Sequence, residues 1–332
     1  MHVLVYSSRP HDREVLEPAL VAAGHQISHT EATLDELNLA LAQGCDAICT
    51  FVNDELDAAR LQRLADMRVR LILQRAAGID NIDLDAARRS GIAVAHAPAY
   101  SPHAVAEHAV ALLLSLNRHV HIAWQRVQQG NFLLDGLLGF DLHGKTAGIV
   151  GMGRIGQCFA RIMLGFGCRV LAFDPGIPED ARMPGVEYDT LDAIWHASDI
   201  LSLHCPLLPA TRHLVDARLL TQSRPHALLI NTSRGAVVDT RAILDALGAG
   251  RLGGYAADVY ESERNVFFHD CSGKELGDAL LCDLIRHPNV LVTPHQAFFT
   301  REALQGIARA MVDSLAHWAA GTPGTGFVTA RP

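Results

Sequence analysis

No two cysteines in this 332-residue sequence are spaced Cys-x-x-Cys, and the seven present, at 45, 49, 158, 168, 205, 271 and 282, are odd in number. That argues against a zinc site or a disulfide frame, so reduced thiols and no metal are expected. An excess of positive charge is missing too: 28 Lys and Arg against 36 Asp and Glu leave a formal net charge of −8, with both signs interspersed. Without a basic block to grip phosphates or an anionic surface, neither nucleic acid nor a membrane is an expected partner. Long apolar runs are lacking, since AVALLLSL at 109–116 falls far short of the roughly 20 residues of a membrane span. The opening MHVLVYSSRP has neither the basic flank nor the long apolar stretch of a signal peptide. A soluble, cytoplasmic protein is therefore expected. Internal short repeats and low-complexity segments are also absent.

What remains is ordinary globular composition, with 49% apolar and 19% charged residues and a mean hydropathy of +0.14. The length suits two domains. Strand-like runs alternate with helical patterns: HVLVY (2–6), DAICTF (46–51), RLILQ (70–74) and IAVAH (92–96) in the first hundred residues, interleaved with REVLEPALVAAG and ELDAARLQRLADM. The alternation restarts at AGIV (147–150) and continues through RVLAF, VEY, DILSLH, ALLIN, YAADV and NVLVT. This is βαβ grammar, and so many strands overfill one six-stranded sheet, so two parallel-sheet α/β units are expected. Between them, residues 101–130 read as a single helix, with Ser101 placed to cap it and Pro102 at its first position. That helix is apolar around most of its circumference, which demands burial, against a domain or against a second subunit. Residues 301–321 read as a further helix able to return to the first unit, and GTPGTGFVTARP after it reads as a loose tail.

The segment GIVGMGRIG, 148–156, closes a β-branched strand with three glycines and opens directly into a helical pattern. Gly151 permits the tight turn, Gly153 lets backbone N–H groups approach a pyrophosphate, and Gly156 lets helix pack on strand. The next strand ends in Asp174, 18 residues after the third glycine. Its carboxylate suits both ribose hydroxyls and repels a 2′-phosphate, which selects NAD over NADP.

Hydride transfer to a carbonyl needs a proton donor and a cation to orient the substrate. Arg234 in NTSRGAVVD, Asp258, Glu261 and Glu263 in DVYESE, and His295 in TPHQAFF each follow a predicted strand, at the carboxyl ends where open α/β sheets bind ligands.

GIVGMGRIG, NTSRGAVVDT, AADVYESE and NVLVTPHQA, in this order, resemble the D-isomer-specific 2-hydroxyacid dehydrogenase family, and RAAGIDNID (75–83) and APAYSPHAVAEHA (97–109) are similar to its substrate loop and interdomain helix. ESERNVFFHDCSGKELGDALLCDL and HQAFFTREAL resemble the D-lactate dehydrogenase branch. The resemblance implies that Arg234 binds and polarises a 2-oxo acid, that His295 donates the proton, and that Glu263 supports the imidazole, favouring its protonated form. Arg154, Ile155, Cys205, Pro206, Thr211, Thr232, Ser233, Arg234 and Asp258 match cofactor-contact positions, Asp258 on the nicotinamide side; Thr211 stands where the branch carries Asn. Ala77 and Gly78 match positions whose backbone N–H groups hold the substrate carboxylate, and Phe51, Tyr100 and Phe299 match pocket-lining positions. The implied architecture is a flavodoxin-like substrate-binding domain of residues 1–100 plus 299–332, an NAD-binding Rossmann domain of 101–298, a cleft between them, and a homodimer or higher homo-oligomer built through the NAD-binding domain. The leading expectation is a D-lactate dehydrogenase. An enzyme for bulkier 2-oxo acids such as phenylpyruvate or 2-oxoisocaproate, or a non-catalytic NAD-sensing module, are the competing ones.

Overall fold

The computed structural model describes residues 1–322 and 324–329. The chain divides into two compact units, Met1–Ser101 with Phe299–Pro332 and Pro102–Phe298. In the first unit the order is β1 (His2–Val5), α1 (Pro10–Ala22), β2 (Gln26–His29), β3 (Ala47–Thr50), α2 (Ala58–Asp66), β4 (Leu71–Gln74), α3 (Leu84–Arg89) and β5 (Ala93–His96). The second holds α4 (Pro102–Asn117), α5 (Val120–Gln128), β6 (Thr146–Val150), α6 (Arg154–Gly165), β7 (Arg169–Phe173), β8 (Val186–Tyr188), α7 (Leu191–Ala197), β9 (Ile200–Leu203), α8 (Ala217–Leu220), β10 (Leu228–Asn231), α9 (Thr240–Gly248), β11 (Gly254–Ala257), α10 (Ala279–Arg286) and β12 (Val290–Val292). α11 (Arg301–Ala320) then returns to the first unit, where it packs on α1 and β5.

Both sheets are parallel. The first runs β2-β1-β3-β4-β5, the flavodoxin-like order, and the second β12-β11-β10-β9-β6-β7-β8, the Rossmann order extended by one strand. The sequence dictates this because β3, β4, β9 and β10 are buried along their whole length, as strands covered on both faces must be. One face of the second sheet buries Trp195, Leu203, Leu229 and Ile243, and the other Leu113, Ile149, Phe159 and Met163. In the second sheet the direction of winding reverses between β6 and β9, so the turn after β6 opens at the switch point. Among the described residues no helix is long and apolar enough to cross a membrane.

Two expectations need correction, the single helix and the loose tail. The single helix over 101–130 breaks at His119, whose left-handed φ of +50° separates α4 from α5. Within this one chain no residue of α5 is buried, and Trp124 is 64% exposed. The segment read as a loose tail is pinned to the outer edge of β5, with Ala95 and Phe327 bridged antiparallel, Val328 N–H donating to Val94 O (3.0 Å) and Val94 N–H to Thr329 Oγ1 (2.7 Å). Residues 323 and 330–332 of that segment lie outside the described residues.

Candidate active site

The dinucleotide end of the site begins where β6 stops. Gly151 has φ +94°, and a Cβ there would sit 2.7 Å from Cys205 N and from His204 C, so only hydrogen fits. At Gly156 a Cβ would stand 2.0 Å from Gly151 O, which shows how closely α6 is drawn onto the turn. Gly153 differs: nothing lies within 4 Å of a Cβ, and it is exposed, so its glycine leaves open room above the helix start. α2, α3, α9 and α10 each begin on an Asp whose carboxylate accepts a helix N–H, at Asp57, Asp83, Asp239 and Asp278. α6 begins on Gly153 with no side-chain cap, and Arg154 and Ile155 form its first turn. That is the arrangement an anion fills.

Asp174 follows β7 and is half-buried; its Oδ2 accepts from Met152 N–H (2.7 Å) and its Oδ1 from Gly176 N–H (2.9 Å). One carboxylate thus ties the glycine turn to the end of β7, and each oxygen keeps a further lone pair for a ribose hydroxyl. Cys205 is buried, and burial pushes its thiol up to about 11, so it faces the turn as a neutral SH. Before it, His204 shares Nε2 with Ser202 Oγ (2.9 Å), while its solvent-shielded Nδ1 has no partner among the described residues; desolvation lowers its pKa to about 3. Thr211 donates to Pro206 O (2.6 Å) and accepts from Leu208 N–H (2.8 Å), so its hydroxyl also knits its own loop. Thr232 Oγ1 is buried and has no partner among the described residues, a polar atom suited to a bound polar group. A dinucleotide with free ribose hydroxyls fits this set.

The reacting end is assembled at the carboxyl ends of β10, β11 and β12. Asn231, fully buried at the end of β10, donates to Arg234 O (3.0 Å) and accepts from Ser233 N–H (3.0 Å) and Ser233 Oγ (2.8 Å), shaping the loop from which the partly buried Arg234 side chain projects. Arg234 Nη1 donates to Ser233 O at 2.8 Å. A Cβ on the next residue, Gly235, would stand 2.0 Å from Tyr260 C and 2.3 Å from Glu261 N, so this loop lies against the backbone that leads to Glu263. Glu263 Oε2 accepts from Tyr260 N–H (2.9 Å), and Oε1 lies 2.7 Å from His295 Nδ1. Glu261 instead contacts His213 Nε2 at 3.1 Å and accepts from Thr240 N–H at 3.2 Å.

His295 occupies a left-handed backbone position, φ +56°, uncommon for a residue with a Cβ. Asp258, matched by resemblance to the nicotinamide side of the cofactor site, is fully buried, and its carboxylate accepts from Thr293 Oγ1 (2.5 Å), Gln296 N–H (2.9 Å) and Ala297 N–H (2.7 Å). Sequence reasoning passed over Asn231 and these Asp258 bonds. Asn231 stood within the quoted NTSRG motif, but its bonds run within a loop whose shape no periodicity reports.

The first unit places its own candidates at strand ends. Ala77 is exposed and Gly78 partly so, and neither backbone N–H is engaged by another described residue. Their carbonyls are held instead, Ala77 O near His96 Nδ1 (2.9 Å) and Gly78 O by Gln74 Nε2 (3.2 Å). Phe51 lays its ring under the buried Arg75 guanidinium at 4.9 Å, and that guanidinium pairs with Asp12 (3.1 Å). Phe299 is 49% exposed and meets His11 edge-on at 4.7 Å. Tyr100 is partly buried, with its carbonyl close against Gly306.

A Rossmann sheet that carries an arginine and a carboxylate-held histidine at its strand ends, together with an uncapped glycine turn for a dinucleotide, defines a nicotinamide-dependent oxidoreductase. The family model described as D-isomer specific 2-hydroxyacid dehydrogenase, NAD binding domain, matches residues 110–297. D-lactate dehydrogenase kk1H of Curvularia clavata is 47% identical over 332 residues, covering 97% of this chain and 94% of that one. D-lactate dehydrogenase of Escherichia coli is 42% identical, with 96% of each chain covered. The apo-structure of D-lactate dehydrogenase from Escherichia coli superposes with a TM-score of 0.89 and 39% identity over 99% of this chain and 100% of that one. The chain belongs to the D-isomer specific 2-hydroxyacid dehydrogenase family, and its cofactor is NAD.

Proposed function

We propose that this protein is a D-lactate dehydrogenase, converting pyruvate, NADH and a proton to D-lactate and NAD. The observation that carries this reading is the His295–Glu263 pair, 2.7 Å apart, on the same sheet end as Arg234. Bound NADH supplies the hydride. Glu263 binds the imidazole through Nδ1, which leaves Nε2 as the nitrogen that delivers the proton to the developing alkoxide. Arg234 presents a planar fork suited to the carboxylate and carbonyl of a 2-oxo acid, and a fixed cation there favours the negative charge that develops on oxygen.

In this reading the second unit is the NAD-binding domain. Gly151, Gly153, Arg154, Ile155 and Gly156 hold the pyrophosphate, Asp174 the ribose, and Cys205, Pro206, Thr211, Thr232, Ser233 and Asp258 line the remainder. The first unit is the substrate-binding domain: the open N–H groups of Ala77 and Gly78 suit a carboxylate, and Phe51, Tyr100 and Phe299 supply apolar surface for a short side chain. We further propose a cytoplasmic homodimer. Seven free cysteines support the compartment, and the exposed apolar residues of α5 and the segment after it support the second copy.

Initial rates of NADH oxidation with equal concentrations of pyruvate, 2-oxobutyrate, 2-oxoisocaproate and phenylpyruvate test the assignment. Fastest turnover with pyruvate is expected. Faster turnover of the larger acids would move the assignment to a bulkier 2-hydroxy acid, and NADH binding without turnover of any acid would favour a sensing module.

A further inference from the structure

His108 projects from α4 with 16% of its side chain exposed. Its Nε2 lies 3.1 Å from Thr293 Oγ1 and 3.4 Å from Asp258 Oδ1. Thr293 Oγ1 is itself 2.5 Å from that same Asp258 oxygen. A hydroxyl has a single proton and an ionised carboxylate only accepts. The Thr293 proton therefore points to Asp258, and Thr293 Oγ1 must accept from His108, which places the His108 proton on Nε2. The donation runs one way, from His108 to Thr293 to Asp258.

Asp258 also accepts the N–H groups of Gln296 and Ala297. One fully buried carboxylate thus grips the chain two residues before His295 and again one and two residues after it. Between those grips sits the left-handed backbone of His295, a conformation that persists only where its surroundings enforce it. We propose that His108 is a positioning residue for His295: by fixing the Thr293 hydroxyl on Asp258 it completes the clamp that turns His295 toward Glu263. His108 touches neither the histidine nor its glutamate, and acts through the turn alone. The inference rests on His295 being the proton donor.

The test combines kinetics with a measurement that needs no substrate. His108→Ala is expected to lower kcat about 10-fold, the scale of a sub-ångström misplacement of a reacting group, with KM for the 2-oxo acid and NADH affinity nearly unchanged. His108→Gln, which keeps an N–H donor at similar reach, is expected to recover most of the loss. In a Thr293→Val background the His108→Ala change should have little further effect, because the link is already cut. Nitrogen-15 NMR of the histidine rings in the protein without added cofactor should show His108 as the Nε2–H tautomer. The His295 ring signals, assigned through His295→Gln, should shift in His108→Ala and Thr293→Val and return in His108→Gln. An active wild type whose kcat survives His108→Ala, or falls equally in the Ala and Gln variants, overturns the proposal. So do His295 signals that stay in place. Absence of turnover in the wild type counts against the reaction assigned above, and the ring signals then decide the positioning role by themselves.

Discussion

Three side chains carry most of what single residues do here. His295 faces Glu263 through Nδ1 at 2.7 Å, so removing the imidazole removes the proposed proton donor and leaves the dinucleotide turn, on different strands, intact. His295→Ala should therefore lower kcat by a factor of about 100 or more, with NADH binding retained in a fluorescence titration. Asp174, the proposed ribose ligand, carries a carboxylate that would repel a 2′-phosphate; Asp174→Ala should narrow the ratio of kcat/KM between NADH and NADPH, and an unchanged ratio would remove it from cofactor selection. His204 makes a prediction about stability. Half-buried, with desolvation lowering its pKa to about 3, it stays neutral in the folded chain at pH values where an unfolded histidine, near 6.5, takes up a proton. The unfolded state thus binds more protons across that window, so stability is full above the unfolded value and falls as pH drops through it, by up to about 1.4 kcal/mol per pH unit. Urea unfolding at pH 7, 6 and 5 should show this slope, and His204→Gln should flatten it.

The elements set how these side chains meet. The loops after β10 and β11 lie in backbone contact at Gly235, where a methyl group would overlap Tyr260 and Glu261. Gly235→Ala should cost about 1–3 kcal/mol of stability and reduce turnover by more than that loss explains, because relieving the overlap moves Arg234 away from the Glu263 loop; thermal unfolding and kcat measured together check this. Every strand with an apolar run was legible from the sequence, because burial on both faces leaves continuous Val, Ile, Leu and Ala. β2, Gln-Ile-Ser-His on an edge, escaped because one apolar residue among polar neighbours leaves no run to read. The break between α4 and α5 escaped because Arg118 and His119 carry neither the glycine nor the proline that ordinarily marks one. Among site residues, the strand-end positions of Arg234, Glu263 and His295 could be read because βαβ grammar locates strand ends. The Asp258 clamp could not, since it joins residues 35 to 39 positions apart through bonds that no spacing rule anticipates.

At the scale of the molecule, the second unit leaves an apolar surface on α5 and beyond: Trp124 at 64% exposure, Phe132 at 74% and Leu134 at 81%. A proposed second copy accounts for such surface better than solvent does. Trp124→Asp is expected to lower the molar mass in light scattering to that of one chain, and an undiminished mass would place the interface elsewhere. The first unit joins the two ends of the described chain, since residues 326–329 close the outer edge of β5. Val94 and its partner Thr329 are 235 residues apart. At a synthesis rate of about 5–20 residues per second, β5 waits on the ribosome for roughly ten seconds to most of a minute before its own covering segment emerges. During that interval residues 102–298, contiguous in the chain, can complete their sheet. The five strands of the first sheet are all made by then, but the edge of β5 stays uncovered, a template that nascent chains or chaperones can bind.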